Sequence, residues 1–292
     1  MAIDPQFHEV VKEGPIVIWK FSNPPRNLIS PATGEELRAL VTEFDQDPEL
    51  RVGIITSATP GNFIQHFDVA AIIGWAEELG KLSDDEIEQM RANMPEPTGG
   101  ISHMTNKPVI CSINGPVQGG GCELSLECDF RFISKDAYMG QPEVGAGFPP
   151  GYGIPKMIQL IGLPKTLEFC MTGRKIYPDE AERIGLVNRS CPPEELDAEV
   201  MKFALTLAAL PPQGITSVKE TIYKAVDMTL IDGLKINSSS FFDSIRDEDS
   251  LKRMRLYVAA DQDGEKMFNV MMEAEGDMDK AMEMLQKESS GK

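Results

Sequence analysis

Three consecutive glycines, residues 119–121, lie between a strand-like run and a helix-like run. The strand is the apolar stretch Val109–Ile113, and the helix begins near Cys122 and Glu123. Glycine lacks a Cβ atom, so main-chain N–H groups in such a turn can approach a ligand closely. The N-terminus of a helix also attracts negative charge. The glycine run therefore predicts a turn in which backbone amides face a negatively charged group.

Two nucleotide-binding motifs and a purely structural turn are the alternatives for this segment. The spacing of Gly115 and Gly120 matches the glycines of a phosphate-binding loop, but that motif requires Lys and then Ser or Thr next. Gly121 and Cys122 occupy those two positions instead. The dinucleotide fingerprint GxGxxG is also absent. Both nucleotide motifs are therefore disfavoured, and a turn with only a structural role stays open.

Four apolar runs predict the strands of one main core: residues 15–21, 52–57, 109–113 and 130–134. The second and third runs are continuously apolar, which is typical of strands that are buried on both faces. No strand is expected after residues 186–188.

Helical patterns occupy most of the remaining chain. Ser30 and Pro31 are typical of a helix start, and residues 70–104 predict a helical excursion over the body. From about Pro155 the periodicity is mainly helical, and we expect the chain to divide into a main body at residues 1–205 and a helical C-terminal region at 206–292. In the helix predicted to begin at Ser30 and Pro31, one face carries Leu37, Leu40, Val41 and Phe44.

Charge and composition exclude several classes of protein. The formal net charge of -18 disfavours a nucleic-acid partner, because that affinity depends on clustered Lys and Arg. Five cysteines form no CxxC pair and no metal-ligand spacing with histidine, so no metal site is expected. No stretch is apolar and long enough to cross a bilayer, and the start of the chain lacks a signal-peptide pattern. We expect a cytoplasmic protein without membrane association.

Short motifs that are typical of one enzyme superfamily occur in order along the chain. They are Asn-Pro-Pro-Arg-Asn at 23–27; Asn-Gly, Gly-Gly-Gly, Cys-Glu-Leu and Cys-Asp within 109–129; Gly-Gln-Pro-Glu at 140–143; Pro-Gly-Tyr-Gly at 150–153; and Thr-Gly, Glu-Ala and Gly-Leu-Val-Asn within 171–188. Together they resemble the crotonase (enoyl-CoA hydratase/isomerase) superfamily from about residue 10 to residue 230. The resemblance implies an α/β crotonase-like spiral of ββα units with a helical C-terminal trimerisation region.

The resemblance also implies which residues carry the chemistry. Glu123 and Glu143 align with the two catalytic glutamates of enoyl-CoA hydratases. The main-chain N–H groups of Phe67 and Gly120 occupy the positions of the oxyanion hole. Such donors favour an enolate over the thioester from which it forms.

Other positions are expected to shape the substrate site. The loop that usually reads Phe-x-Ala-Gly-Ala-Asp is Phe63-Ile64-Gln65-His66-Phe67-Asp68 here, so three large residues replace three small ones. His66 is either a proton carrier or only a packing residue, and Asp68 is expected to cap the helix that begins at Val69. Arg26 is a candidate contact for the phosphates of coenzyme A. The residues assigned to the substrate pocket are Gln65, His66, Phe67, Gly119, Pro142, Gly151 and Tyr152.

The resemblance implies hydration of a 2-enoyl-CoA, or dehydration of a 3-hydroxyacyl-CoA, in a homotrimer or a dimer of trimers. Coenzyme A enters as part of the substrate, and no separate cofactor is implied. Because coenzyme A is an anion and the chain is acidic, its phosphates require a local basic patch. The alternatives are another isomerase, lyase or C–C bond hydrolase of the superfamily, and a non-catalytic acyl-CoA-binding or scaffold protein.

Overall fold

A six-stranded sheet forms the centre of the computed structural model, which describes residues 4–59, 61–94, 100–274 and 276–290. Its strands are β1 (His8–Glu13), β2 (Ile16–Phe21), β3 (Val52–Ser57), β4 (Val109–Ile113), β6 (Phe130–Ser134) and β8 (Arg189–Cys191), in the order β1-β2-β3-β4-β6-β8. Only the β1–β2 pair is antiparallel. Strands β5 (Val117–Gln118) and β7 (Met139–Gly140) form a separate parallel pair.

Helices connect these strands and make up the rest of the described chain. They are α1 (Pro31–Gln46), α2 (Val69–Leu79), α3 (Asp84–Ala92), α4 (Ile101–Met104), α5 (Gly120–Leu126), a 3-10 helix (Glu143–Ala146), α6 (Gly153–Thr172), α7 (Pro178–Arg183), α8 (Leu196–Ala209), α9 (Pro212–Ala225), α10 (Leu230–Ile245), α11 (Glu248–Ala259), α12 (Gly264–Glu273) and α13 (Met278–Ser290). The helical excursion expected at 70–104 is thus observed, although its residues 95–99 lie outside the described part of the chain.

The four predicted strands are confirmed, and four of the described strands were missed, namely β1, β5, β7 and β8. Every residue of β3 and β4 is buried, as expected for strands covered on both faces. The expectation of no strand after residues 186–188 is wrong, because β8 pairs with β6 at the sheet edge. Its three residues, Arg-Ser-Cys, are too few and too polar to show a strand pattern. Strand β1 also lies at an edge, beside β2.

The predicted helix start at Ser30 is confirmed by its hydrogen bonds. The Ser30 hydroxyl accepts the N–H of Thr33, and the Thr33 hydroxyl accepts the N–H of Ser30, so two otherwise unpaired donors are satisfied. The apolar face of α1 packs on the sheet, where the rings of Phe44 and Trp19 meet edge to face at 5.4 Å. Four predicted residues of this face are buried, namely Leu37, Leu40, Val41 and Phe44.

The glycine-rich turn places α5 directly after β4, as its sequence predicts. A buried arginine on β6, Arg131, holds the far end of this helix, because its guanidinium donates to the carbonyls of Ser125 and Cys128. It also donates to the carbonyl of Leu186. A cation at a helix C-terminus is electrostatically favourable. The C-terminal end of α5 is therefore held by the strand β6.

The chain divides into two compact units, residues 1–212 and 213–292. The second unit has its own small core, which includes Leu256, Val270 and Leu285. Four methionines of the C-terminal region pack against that core, namely Met267, Met271, Met282 and Met284. Within the described ranges, no helix is long and apolar enough to span a membrane.

Candidate active site

A cavity of about 650 Å³ opens in the first unit beside the N-terminal turn of α5. Its walls come from α1, from the segment that leads into α2, from α5, and from the loop before α6. Six of the residues assigned from sequence line this cavity together: Phe67, Gly120, Glu123, Glu143, Gly151 and Tyr152.

The backbones of Phe67 and Gly120 approach each other closely at this cavity. A Cβ atom built on Gly120 would lie 3.2 Å from the Phe67 nitrogen and 2.9 Å from its Cβ, so only glycine permits this approach. Ile29 forms a parallel bridge to Phe67 through the carbonyl of His66 and the N–H of Asp68. In such a bridge the N–H of Phe67 points away from Ile29. Gly120 begins α5, so its N–H has no acceptor within the helix.

Glu123 lies in the first turn of α5 and is only 5 % exposed. Its Oε1 accepts the main-chain N–H groups of Tyr152 and Gly153, each at 2.8 Å. Burial raises the pKa of Glu123 above its usual value, and the N–H donors oppose this rise only in part. A Cβ atom on Gly153 would lie 3.2 Å from Oε1. Glycine at this position therefore lets the loop approach the carboxyl group closely.

Glu143 begins the 3-10 helix on the other side of the glycine turn. Its Oε1 lies 2.6 Å from the position of a Cβ atom on Gly119, which has a φ of +49°. Its Oε2 is buried and has no hydrogen-bond partner among the residues described. Burial raises the pKa of Glu143, and the negative charge of Glu123 raises it further. The cavity therefore contains two carboxyl groups that favour the protonated state more than free glutamate does.

Four residues assigned to the pocket are not among those that line this cavity, namely Gln65, His66, Gly119 and Pro142. The Nδ1–H of His66 donates to the Phe67 carbonyl at 2.7 Å. The backbone of Gln65 bonds to Asn27 and Gln118. The side chain of His66 and the backbone of Gln65 thus support the loop that carries the Phe67 amide.

Two smaller assignments are also placed by the structure. Asp68 caps α2, as predicted, because its Oδ1 accepts the N–H of Ala70 at 3.0 Å. Arg26 is exposed and does not line the cavity.

Cys122 is completely buried, and burial raises the pKa of its thiol well above the usual value. A thiol that stays protonated is a poor nucleophile, so Cys122 is a packing residue.

Several cavity residues were not assigned from sequence. Trp75 lines the cavity, and its ring lies 5.3 Å from the ring of Phe67. Glu127 lies one helical turn after Glu123, and burial raises its pKa to about 7. Its spacing of four residues from Glu123 was the available signal, because residues i and i+4 share a helix face.

Comparison with known proteins adds independent information about the chain as a whole. Residues 12–263 match the family model described as enoyl-CoA hydratase/isomerase. A short-chain-enoyl-CoA hydratase of Clostridium acetobutylicum is 27% identical over 253 residues, which is 85% of this chain and 92% of the relative. A crotonyl-CoA hydratase of Syntrophomonas wolfei is 36% identical over 183 residues, which is 61% of this chain and 66% of the relative. The crystal structure of an enoyl-CoA hydratase from Bacillus anthracis superposes with a TM-score of 0.74 at 26% identity, covering 86% of this chain and 96% of that one.

Proposed function

Since this chain belongs to the enoyl-CoA hydratase/isomerase family, we propose that its cavity adds water to a 2-enoyl-CoA thioester through an enolate. The crotonase-like α/β fold and an enoyl-CoA hydratase-like activity, both expected from the motifs, are confirmed by the similar proteins. The proposal assigns the individual steps to residues, and the same groups would catalyse the reverse dehydration of a 3-hydroxyacyl-CoA.

The observation that carries this assignment is the presence of two carboxyl groups, the buried Glu123 and the half-buried Glu143, in one cavity where the backbones of Phe67 and Gly120 meet. Hydration requires one group to activate water and another to protonate the α-carbon. Glu123 and Glu143 supply these roles. The raised pKa of each means that both carboxyl groups hold a proton more readily than free glutamate does, which suits groups that take up and release a proton in one cycle. The buried Oε2 of Glu143 is the atom that accepts a hydrogen bond from the reacting water.

The amides of Phe67 and Gly120 bind the thioester oxygen. This oxygen gains charge as the enolate forms, so preorganised N–H donors stabilise the transition state more than the substrate. Both donors belong to the main chain and need no side-chain rearrangement. The loss of one such donor typically costs about 3 kcal/mol in activation free energy.

Coenzyme A enters this site as part of the substrate, and the chemistry assigned here uses no other cofactor. The exposed guanidinium of Arg26 is the proposed contact for a phosphate of the carrier. The acyl group occupies the cavity beside Phe67 and Trp75. Both aromatic rings offer apolar surface to an acyl chain.

A homotrimer or a dimer of trimers is the proposed assembly. Helices α9 and α10 of the second unit expose large apolar side chains, and a patch of this kind marks an association surface. A second copy of the chain is the proposed partner. The exposed residues are Val218, Ile222, Leu230, Ile231, Leu234, Phe241 and Phe242.

The assignment of the two glutamates is tested by the loss of enoyl absorbance when the protein is mixed with straight, branched and aromatic 2-enoyl-CoA thioesters. Glu123→Gln and Glu143→Gln should each lower kcat by about a hundredfold or more, as expected for general acid–base groups. Glu194→Gln is the matched control, because Glu194 is exposed and lies outside the cavity. Full turnover by either cavity variant would remove that glutamate from the proposed mechanism.

A further inference from the structure

Glu127 is a third carboxyl group in the cavity, and the reaction proposed above has no step for it. It follows Glu123 by four residues, so both side chains lie on the same face of the helix, about 6 Å apart along its axis. Both line the cavity. A buried carboxyl group is costly unless its oxygens are hydrogen-bonded, so its partners indicate what it does.

Tyr152 connects the two glutamates. Its main-chain N–H donates to Glu123 Oε1 at 2.8 Å, and its hydroxyl donates to Glu127 Oε1. Its side chain is 50 % exposed, so packing alone restrains it weakly. The hydroxyl bond to Glu127 is therefore the contact that fixes this side chain.

The other oxygen of Glu127 is held from the opposite side of the cavity. Its Oε2 accepts the N–H of Ile101 at 3.0 Å. Gly100, with a φ of +85°, leaves room for the carboxyl group, since a Cβ atom there would lie 2.6 Å from Glu127 Cγ. Glu127 thus links the start of α4 to the loop that donates to Glu123.

We propose that Glu127 is a positioning residue that acts on Glu123 through Tyr152. By holding the tyrosine hydroxyl, it keeps the N–H groups of Tyr152 and Gly153 on Glu123 Oε1, and Oε2 stays available to the substrate. This inference rests on the proposed function, because it assigns Glu123 a role in proton transfer.

The strength of the hydrogen bond from the Tyr152 hydroxyl to Glu127 should depend on pH. Burial raises the pKa of Glu127 to about 7, while the N–H of Ile101 and the charge of Arg38 on α1 lower it. Glu123 on the same helix raises this pKa, and Lys156 on α6 lowers it. A carboxylate accepts a hydrogen bond more strongly than a neutral carboxylic acid does. The wild-type kcat should therefore rise as pH increases through about 7.

Three variants separate the components of this link. Tyr152→Phe removes the hydroxyl, Glu127→Leu removes the acceptor, and Glu127→Gln keeps an acceptor that cannot ionise. With a short 2-enoyl-CoA as substrate, the first two should lower kcat about tenfold, the loss expected for one orienting hydrogen bond. KM should change by less than about threefold, because the contact does not bind substrate directly. Glu127→Gln, whose amide oxygen is a neutral acceptor, should give at every pH a kcat close to that of the wild type below pH 7, and should therefore lose the pH dependence near 7.

Backbone hydrogen exchange provides a readout that is independent of turnover. Exchange of the Tyr152 and Gly153 amides should become faster in Tyr152→Phe and Glu127→Leu, because these amides lose their acceptor when the loop moves. The double variant should match either single variant, since both break the same contact. Tyr177→Phe, which alters an exposed tyrosine outside the cavity, should leave exchange and kcat unchanged.

The outcomes distinguish this inference from the proposed function. Normal turnover and normal exchange in Tyr152→Phe and Glu127→Leu would overturn the inference and leave the proposed function intact. A lower kcat with unchanged exchange, or additive effects in the double variant, would also overturn it. If the wild type hydrates no enoyl thioester but the variants speed exchange at 152–153, the positioning contact stands and the proposed function fails.

Discussion

Burial governs the acid–base behaviour of the individual cavity residues. Glu123 lies in α5, Glu127 is the residue that ends this helix and Glu143 begins the 3-10 helix, and burial is the largest cause of the raised pKa of each. Removing a carboxyl group from water disfavours its charged form. The three groups nevertheless differ in their contacts: Glu123 accepts two amides, Glu127 accepts one amide and one hydroxyl, and Glu143 Oε2 accepts none among the described residues. These differences are the basis for assigning them different roles.

Gly120→Ala tests the two-amide site at a single residue. The added Cβ atom would lie 2.9 Å from Phe67 Cβ, which is too close, so the two amides must move apart. We expect kcat for a 2-enoyl-CoA to fall about a hundredfold, the usual effect of losing one oxyanion donor. Gly145→Ala is the matched control, because a Cβ atom there meets nothing within 4 Å. Unchanged kcat in a folded Gly120→Ala protein would contradict the assignment.

Among the secondary-structure elements, β1 is joined to α1 by a part-buried hydrogen bond between His8 and Glu36. His8 Nδ1 lies 2.8 Å from Glu36 Oε1, and the Glu36 carboxylate also accepts the N–H groups of Gln6 and Phe7. Burial lowers the pKa of His8 more than Glu36 raises it. The contact fastens the edge strand to the helix that forms one wall of the cavity.

His8→Gln tests the pH dependence of this contact. A histidine with a lowered pKa in the folded state takes up its proton more readily when the chain unfolds. Its contribution to stability is therefore complete above its ordinary pKa of 6.5 and is lost as pH falls below that value. Between pH 7.5 and 5.5 the free energy of unfolding should fall more in the wild type than in His8→Gln. The additional loss should be on the order of 1 kcal/mol for each unit by which the pKa of His8 is lowered.

Urea denaturation at the two pH values measures this difference. Glutamine keeps an N–H donor for Glu36 but does not titrate, so the comparison isolates the histidine proton. Glu36 does not contribute to this difference, because its own pKa is lowered from 4.5 and its carboxyl group stays ionised throughout this range. Equal losses in the two proteins would mean that His8 titrates normally.

At the level of the whole molecule, the two units differ in what they expose. The first unit encloses the cavity and both large apolar clusters of the sheet. The second unit has a small core of its own and exposes Leu230, Phe241 and Phe242, which are 77 %, 57 % and 60 % exposed. In a chain with a net charge of -18, this exposed apolar surface is unfavourable while it faces water. Covering it in an assembly removes that unfavourable contact.

Sedimentation equilibrium tests the proposed assembly. The wild type should have three or six times the chain mass of 32.2 kDa. The double variant Phe241→Ser and Phe242→Ser should shift toward smaller species, because it removes two aromatic side chains that are enriched in protein interfaces. Met171→Ser changes an exposed apolar residue of the first unit and serves as the control. A monomeric wild type at micromolar concentration would contradict the proposed trimer.

Local patterns were sufficient for the central strands, for the start of α1 and for the turn before α5. Continuous apolar runs identify β3 and β4, and Ser30 followed by Pro31 and an apolar face identifies the start of a helix. The glutamates Glu123 and Glu143 were identified through motifs, because each lies inside a short segment that resembles a known family. Such features depend on neighbours in the sequence, so they can be found without coordinates.

Contacts between distant segments required the folded chain. Strand β8 has only three residues, and its pairing with β6 defines it. Glu127 becomes a candidate because Tyr152 and Ile101, which are 25 and 26 residues away, donate to its two oxygens. His66 is placed differently from its assignment, because its imidazole donates to the Phe67 carbonyl and does not line the cavity. Burial and long-range hydrogen bonds set the pKa and the role of each group, and neither follows from the order of residues along the chain.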